Sequence, residues 1–416
     1  MPDTPETPRD EIAYPEAYRD LVVVSLALSL AMLANTMLLL TVPFMALELQ
    51  VSPAMIGLIV AAPYVLPLVL AIPIGGFVGR MGARNIILAG ALGMSVGPLC
   101  SLFFPSLTGL LANQVIAGMS NMVLIIAAQS LVSGLGQGRV LERCFGWYTM
   151  CMSAGQLLGP LLAGYLIEHY SLHLSFATIA FIPLLSFVSA LFFSSSAGYG
   201  GKSQRGNASY VAQWRLLRTN HGVQLAIIMS SVSLFIMGAH AGFMPIYLEG
   251  LAISASLIGV LLSLRALTSM LVRLVMSRMI DWLGGRTRSI QIGVVVVTGA
   301  LMLTGMVGDQ VVLLALLTIA IGVAGGISQP LSMVILSESV SREQRSPSLA
   351  TRLMGNRLAQ ASAPVMVGFL AELYGFPTAF ALSAGILLLL FLVWSWRVGL
   401  GHGFTVDRRD EKNASS

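Results

Sequence analysis

Arg265 is the residue best placed to do chemistry. The eleven residues before it, Ser254 to Leu264, carry no charge. Its guanidinium offers five N–H donors in a planar fork, which suits a carboxylate or a phosphate bidentately. Arg357 is the second such group, with Asn356 beside it and Gln360 one helical turn further on. A third set is neutral: Gln114, Gly118, Asn121 and Gln129 fall on one helical stripe, with Asn113 alongside. His240 adds a titratable ring, for which a satisfied packing role is preferred to proton carriage. These groups hold a ligand; they do not break bonds. No Ser-His-Asp set, HExxH, CxxC or phosphate loop is present, so the chain is expected not to be an enzyme and to carry no cofactor or metal.

The elements that position these residues follow from composition. Of 416 residues, 56% are hydrophobic and only 10% charged, against about 25% charged in soluble domains. With 23 basic and 18 acidic residues there is too little charge for a water-facing surface, so the solvent of this chain is lipid. The net charge of +5 is no nucleic-acid signal, because the basic residues are confined to loops. Cys100, Cys144 and Cys151 lie in or beside apolar segments without zinc-site spacing and read as small buried hydrophobes.

A bilayer core takes roughly 20 apolar residues per helix. Twelve segments meet this, at about 21–47, 54–78, 86–104, 107–134, 144–167, 174–194, 222–248, 254–279, 289–307, 310–336, 349–371 and 375–397. The first 20 residues are acidic, and the first apolar run is too long for a signal peptide, so it is expected to span. The domain reading is an N-terminal tail 1–20, a six-helix half 21–194, a polar linker 195–221, a second six-helix half 222–397 and a C-terminal tail 398–416.

Loops after even-numbered spans hold Arg80 and Arg84; Arg139 and Arg143; Lys202, Arg205, Arg215 and Arg218; Arg286 and Arg288; Arg342 and Arg345. Loops after odd-numbered spans hold no Lys or Arg. The positive-inside rule then puts both termini in the cytoplasm.

The two halves are copies. At an offset of 204, Gln156, Pro160, Gly164, Leu166, Glu168 and Tyr170 meet Gln360, Pro364, Gly368, Leu370, Glu372 and Tyr374. At an offset of 202, Gly57, Gly82 and Arg84 meet Gly259, Gly284 and Arg286. Two matches at nearly one distance indicate a duplication of about 200 residues.

Depth sharpens the arginines. Arg265 is about 16 Å into the eighth span, near the bilayer midplane. An unsatisfied arginine there costs at least about 2.5–3.5 kcal/mol. Backbone carbonyls, water, the amides of the eleventh span or an anionic ligand are its possible acceptors. Arg273 and Arg352 lie nearer the cytoplasm and are expected to snorkel.

Twelve spans in two parallel repeats resemble the major facilitator superfamily. Gly75, Arg80, Gly82 and Arg84 in GGFVGRMGAR match that superfamily's cytoplasmic-loop signature, with Gly79 in place of its acid and Ala83 in place of a basic residue. The second half keeps the acid as Asp281 in SRMIDWLGGR, with Gly284 and Arg286, while Trp282 replaces a basic residue. The resemblance implies gating contacts between cytoplasmic helix ends, with topology alone as the plainer account. The stretch GQLLGPLLAG is similar to the superfamily's antiporter signature: Gly155, Gly159, Pro160 and Gly164 match, and Ala163 departs. Small residues at this spacing admit a close neighbour, and Pro160 bends the helix.

The resulting expectation is an all-α membrane protein of twelve transmembrane helices in two six-helix repeats, probed by a small-molecule substrate and working as a monomer. Substrate would lie near the midplane against Arg265, Arg357, Asn356, Gln360, Gln114 and Asn121. Asp281, Arg286, Arg80, Arg84, Gly82, Gly155, Gly159, Pro160 and Gly164 would serve conformational change. The superfamily implies a secondary transporter working by alternating access, with proton-coupled export of a drug or metabolite as its leading form. Uptake or facilitated passage of an organic anion is the alternative, and a non-transporting membrane sensor a third reading.

Overall fold

A computed structural model describes residues 16–135, 138–193 and 217–398; side chains at 69, 71–81, 138, 142, 342, 343, 345–347, 350 and 398 lie outside that description. Among the described residues there are twelve long helices and no strands. They are α1 (Ala17–Glu48), α2 (Pro53–Met81), α3 (Ala83–Phe103), α4 (Leu107–Ser133), α5 (Gly138–His169) and α6 (Leu172–Leu191). Then follow α7 (His221–Glu249), α8 (Ala255–Trp282), α9 (Arg286–Thr304), α10 (Val311–Glu338), α11 (Arg342–Tyr374) and α12 (Phe376–Val398). Ten of the twelve are long and apolar enough to cross a membrane over their described residues; α2 and α11 are the others.

Some helices overrun the apolar segments at their polar ends. The α1 helix begins at Ala17 and takes in Asp20, which is fully buried. The α5 helix begins at Gly138 and carries Arg139 and Arg143 in its first two turns. Apolarity marks where lipid ends, whereas the backbone hydrogen-bond ladder continues until a cap or breaker stops it. The tails and most of the linker, 1–15, 194–216 and 399–416, lie outside the described residues.

The chain forms two compact units. One gathers α1–α6 with the turn and first residues of α8, Leu248–Ser263. Within it α1 packs on α5 and α6, α3 on α4 and α6, and α2 on α4. Its core includes Val24, Ala27, Leu28 and Ala31 of α1, Ile87 and Ala91 of α3, Leu124, Ala127 and Ala128 of α4, and Tyr148 of α5. The other unit holds α7, the rest of α8, and α9–α12, where α9 packs on α10 and α12, and α11 on α10 and α12.

The duplication is visible in the backbone. Gln50 (φ 51°) and Ala252 (φ 60°), 202 residues apart, both take the left-handed conformation that ends a helix. Each is followed by the same bond: Val51 N–H donates to Ala46 O and Ile253 N–H to Leu248 O, both at 3.0 Å. Ser52 Oγ then accepts from Met55 N at 3.5 Å, and Ser254 Oγ from Leu257 N at 3.4 Å. Gly82 (φ 80°) and Gly284 (φ 84°) form the next such pair, between α2 and α3 and between α8 and α9. A side chain is strained at those angles, which accounts for glycine at both positions.

Candidate functional site

The first cluster is built on α5. Its glycines put backbone against backbone. A Cβ on Gly155 would lie 2.3 Å from Ser29 O, and one on Gly159 2.0 Å from Thr36 Oγ1 and 2.7 Å from Leu33 O, all on α1. Thr36 Oγ1 donates to Gly155 O at 3.2 Å and to Met32 O at 2.8 Å, binding the two helices. The other face of α5 meets the start of α8. A Cβ on Gly164 would lie 2.5 Å from Ala255 O, and one on Gly259 2.3 Å from Pro160 O. One turn on, Glu168 Oε2 accepts the Ser256 N–H at 2.8 Å. A carboxylate at a helix N-terminus meets both an unsatisfied donor and the positive end of the helix dipole. The sequence marks Glu168 only as a repeated position; its partner was not legible there.

The second cluster holds the neutral residues of α4. Gln114 Nε2 donates to Ile59 O of α2 at 3.2 Å, and Gly118 lies against Pro63, whose carbonyl would be 2.3 Å from an added Cβ. Asn113 Nδ2 donates to Ser101 Oγ of α3 at 3.0 Å. Asn121 Oδ1 is buried and has no hydrogen-bond partner among the described residues.

The third cluster lies in the second unit and centres on a residue expected to snorkel. Arg352 is 1% exposed. Its Nε donates to Ser332 Oγ at 2.8 Å, and its Nη2 to Gln329 Oε1 at 2.8 Å and Gln329 O at 3.1 Å. Gln329 Nε2 continues to Ser230 O at 3.4 Å, and Ser230 Oγ donates to Asn356 Oδ1 at 2.7 Å. Five polar side chains thus join α7, α10 and α11. Among the described residues no carboxylate is within ion-pair distance of Arg352. Sequence depth misplaced it because depth says nothing about which face of a helix a residue occupies. Arg273, by contrast, is exposed on α8.

Of the other expected ligand residues, Arg357 Nη1 donates to Gln360 Oε1 at 3.2 Å on α11. Arg265 is half-buried in α8, at a level where a Cβ on Gly322 of α10 would lie 2.6 Å from its carbonyl oxygen. His240 is fully buried: its Nε2 is 3.4 Å from Thr318 Oγ1, while its Nδ1 has no partner among the described residues. The ring is therefore only half satisfied.

At the arginine-bearing helix ends, Arg84 Nη2 donates to Leu191 O, the last residue of α6, at 3.2 Å. A cation there complements the negative end of α6. Gly82 is the residue before α3. Arg286 pairs with Glu338, joining the start of α9 to the end of α10. Asp281 is exposed and forms no ion pair among the described residues. The side chain of Arg80 lies outside the described residues. The three cysteines are free, and no group of three or more His, Cys, Asp or Glu among the described residues is placed to hold a metal.

Comparison with known proteins gives the same architecture. The model of the Major Facilitator Superfamily matches residues 24–308 and 226–415. The chain is 26% identical over 183 residues to the multidrug efflux pump LfrA of Mycolicibacterium smegmatis; the match takes 44% of this chain and 35% of the pump. It thus spans about a third of that relative's length. An uncharacterised MFS-type transporter of Methanocaldococcus jannaschii is 20% identical over 348 residues, 82% of this chain and 89% of the relative. Among solved structures, the nucleoside transporter NupG superposes with a TM-score of 0.73 at 14% identity, over 92% of this chain and 99% of that one. A family model matched over nearly the whole chain, twelve long helices among the described residues and a duplicated half-structure lead to one conclusion: this chain belongs to the Major Facilitator Superfamily.

Proposed function

We propose that this integral membrane transporter exports a small organic molecule by alternating access, driven by proton antiport, with both termini in the cytoplasm. The observation that carries the reading is the α5 stretch from Gly155 to Glu168. Its small residues hold α1 on one face and the start of α8 on the other, at backbone-to-backbone range. Such a helix works as a rigid bearing, and this stretch resembles the superfamily's antiporter signature. LfrA, a multidrug efflux pump by name, supports a drug or metabolite as cargo. The gating residues on this reading are Gly155, Gly159, Pro160, Gly164 and Gly82, with Arg80, Arg84, Asp281 and Arg286 at the cytoplasmic helix ends. Gln114 and Asn121 are the polar ligands offered by α4; of these Asn121 has an acceptor without a partner among the described residues.

A second reading is passage of an organic anion, supported by cations within α8 and α11. Arg265 and Arg357 would bind the anion, with Asn356 and Gln360 beside them.

Counterflow in proteoliposomes with a panel of drugs and organic anions, with and without an imposed pH gradient, separates the two. Gradient-driven accumulation of neutral or cationic compounds is expected. Gradient-independent exchange confined to anions would replace the first reading with the second.

A further inference from the structure

Proton antiport requires a group that takes up and releases a proton within the membrane. Among the described residues, the Asp and Glu of the helices all lie in a terminal turn or next to one: Asp20, Glu48, Glu142, Glu168, Glu249, Asp281, Glu338, Glu343 and Glu372. His169, His173 and His221 also lie at helix ends. His240 differs. It is nine residues before the end of α7, about 14 Å along the helix, and it is fully buried. Arg265, on α8, is ten residues after that helix begins, about 15 Å from the same α7–α8 turn.

Groups from α10, α11 and α12 lie against this part of α7. From α10 comes the Thr318 hydroxyl, 3.4 Å from Nε2 and itself fully buried. On α8, Arg265 is the charged residue at comparable depth from the α7–α8 turn. From α11, Ala363 and the carbonyl of Gln360 lie against Gly238. From α12, Phe376 meets Phe243, with ring centroids 6.0 Å apart. Nδ1 has no hydrogen-bond partner among the described residues. The large majority of buried side-chain polar atoms have a hydrogen-bond partner, so an imidazole with one unpartnered nitrogen calls for an explanation. One nitrogen anchored on Thr318 and the other open is the arrangement of a ring held in place to exchange a proton.

Resting on the proton-antiport reading, we infer that His240 is the proton-binding site of the transport cycle, oriented by Thr318, with Arg265 of α8 at comparable depth. In one conformation the open nitrogen accepts a proton from water on one side; in the other it returns the proton to water on the opposite side. No bond other than N–H forms or breaks. Protonation puts a positive charge on a fully buried ring, which gives the two forms of the ring different energies in conformations that differ in its access to water.

Two measurements test this. In membranes treated with diethylpyrocarbonate, mass spectrometry is expected to find His240 modified, more slowly than exposed His169. An unmodified His240 beside a fully modified His169 would mean that the ring never meets water, and overturns the inference. In everted vesicles with ethidium as probe, His240→Gln is expected to lose accumulation driven by a pH gradient while keeping gradient-independent exchange. Full gradient-driven accumulation by His240→Gln overturns the inference and leaves antiport standing. A wild type that ignores the gradient removes antiport, and this site with it. If His240→Gln does not reach the membrane, the modification experiment on the wild type decides.

Discussion

Glu168 Oε2 accepts the backbone N–H of Ser256 at 2.8 Å, so the last turn of α5 caps the first turn of α8. The contact sits directly beside the tight approach of Gly164 to Ala255 and of Pro160 to Gly259. A single carboxylate therefore completes a contact that the small residues make possible. Substituting Glu168 by Gln keeps an acceptor of the same shape but removes the charge; Ala removes both. Amide hydrogen exchange over residues 255–258 should rise modestly in Glu168→Gln and further in Glu168→Ala. Equal exchange in all three proteins would show that the carboxylate contributes nothing to this end of α8.

The glycines of α5 are not equivalent, and their neighbours rank them. A Cβ on Gly155 meets backbone atoms of Ser29 and Leu33 at 2.3 and 2.9 Å, whereas Gly146, two and a half turns earlier in the same helix, has nothing within 4 Å. Gly155→Ala forces α1 and α5 apart and should destabilise by about 1–3 kcal/mol. Gly146→Ala only restricts the unfolded backbone and should stabilise by about 0.5–1 kcal/mol. Thermal unfolding in detergent should thus move in opposite directions for two identical substitutions. Gly159→Leu, pressing on Thr36 and Leu33, should abolish transport more completely than Pro160→Ala.

Parts of this site were legible in sequence because residue type and spacing carry the physics directly. Gly155, Gly159, Pro160 and Gly164 announce a close helix contact, and Gly82 and Gly284 announce a repeated loop, whose left-handed backbone only the structure shows. What sequence does not carry is azimuth and partner. Arg352 and Arg273 sit at comparable depth on their helices, yet one is enclosed and the other exposed. Arg286 lies five residues from Asp281, yet pairs with Glu338, more than fifty residues away. Gln114 has the chemistry of a ligand residue, and its amide nitrogen is engaged by the carbonyl of Ile59. A one-dimensional pattern ranks which residues are unusual in lipid; only the packed helices decide which are already occupied.

Arg352 provides a third prediction. Its charge is buried against Ser332 and Gln329, all neutral acceptors. Hydrogen bonds to a charged group contribute about 1.5–3 kcal/mol each. Ser332→Ala and Gln329→Leu should each lower stability by about that amount. Arg352→Lys, with a single ammonium in place of a fork, cannot reach both partners and should behave like the loss of one of them. In a double-mutant cycle, Ser332→Ala should cost far less once Arg352 has become Met, because the hydroxyl then has no cation to serve. Additive losses would show that the two side chains do not interact in the folded protein.

Arg265 is the sharpest test of which cargo is carried. It lies about 15 Å into α8, half-buried, in a helix whose next turn is locked to α10 through Gly322. That packing fixes the backbone of Arg265, so a substitution there alters the side chain without moving the helix. A fork of five donors suits a carboxylate or phosphate, and lysine does not reproduce its geometry. On the anion reading, Arg265→Lys and Arg265→Gln both fold, shown by unchanged size-exclusion profiles in detergent. Both then lose binding, so that organic anions protect the wild type against thermal unfolding and protect neither variant. On the export reading, drug transport persists in Arg265→Gln, and no anion protects any of the three proteins. The two outcomes exclude each other, because an anion held by this guanidinium loses its charge-assisted hydrogen bonds in both variants, whereas a cationic cargo gains from removal of a like charge near its path. Survival of anion protection in Arg265→Gln would assign the arginine to helix packing and move the anion reading to Arg357.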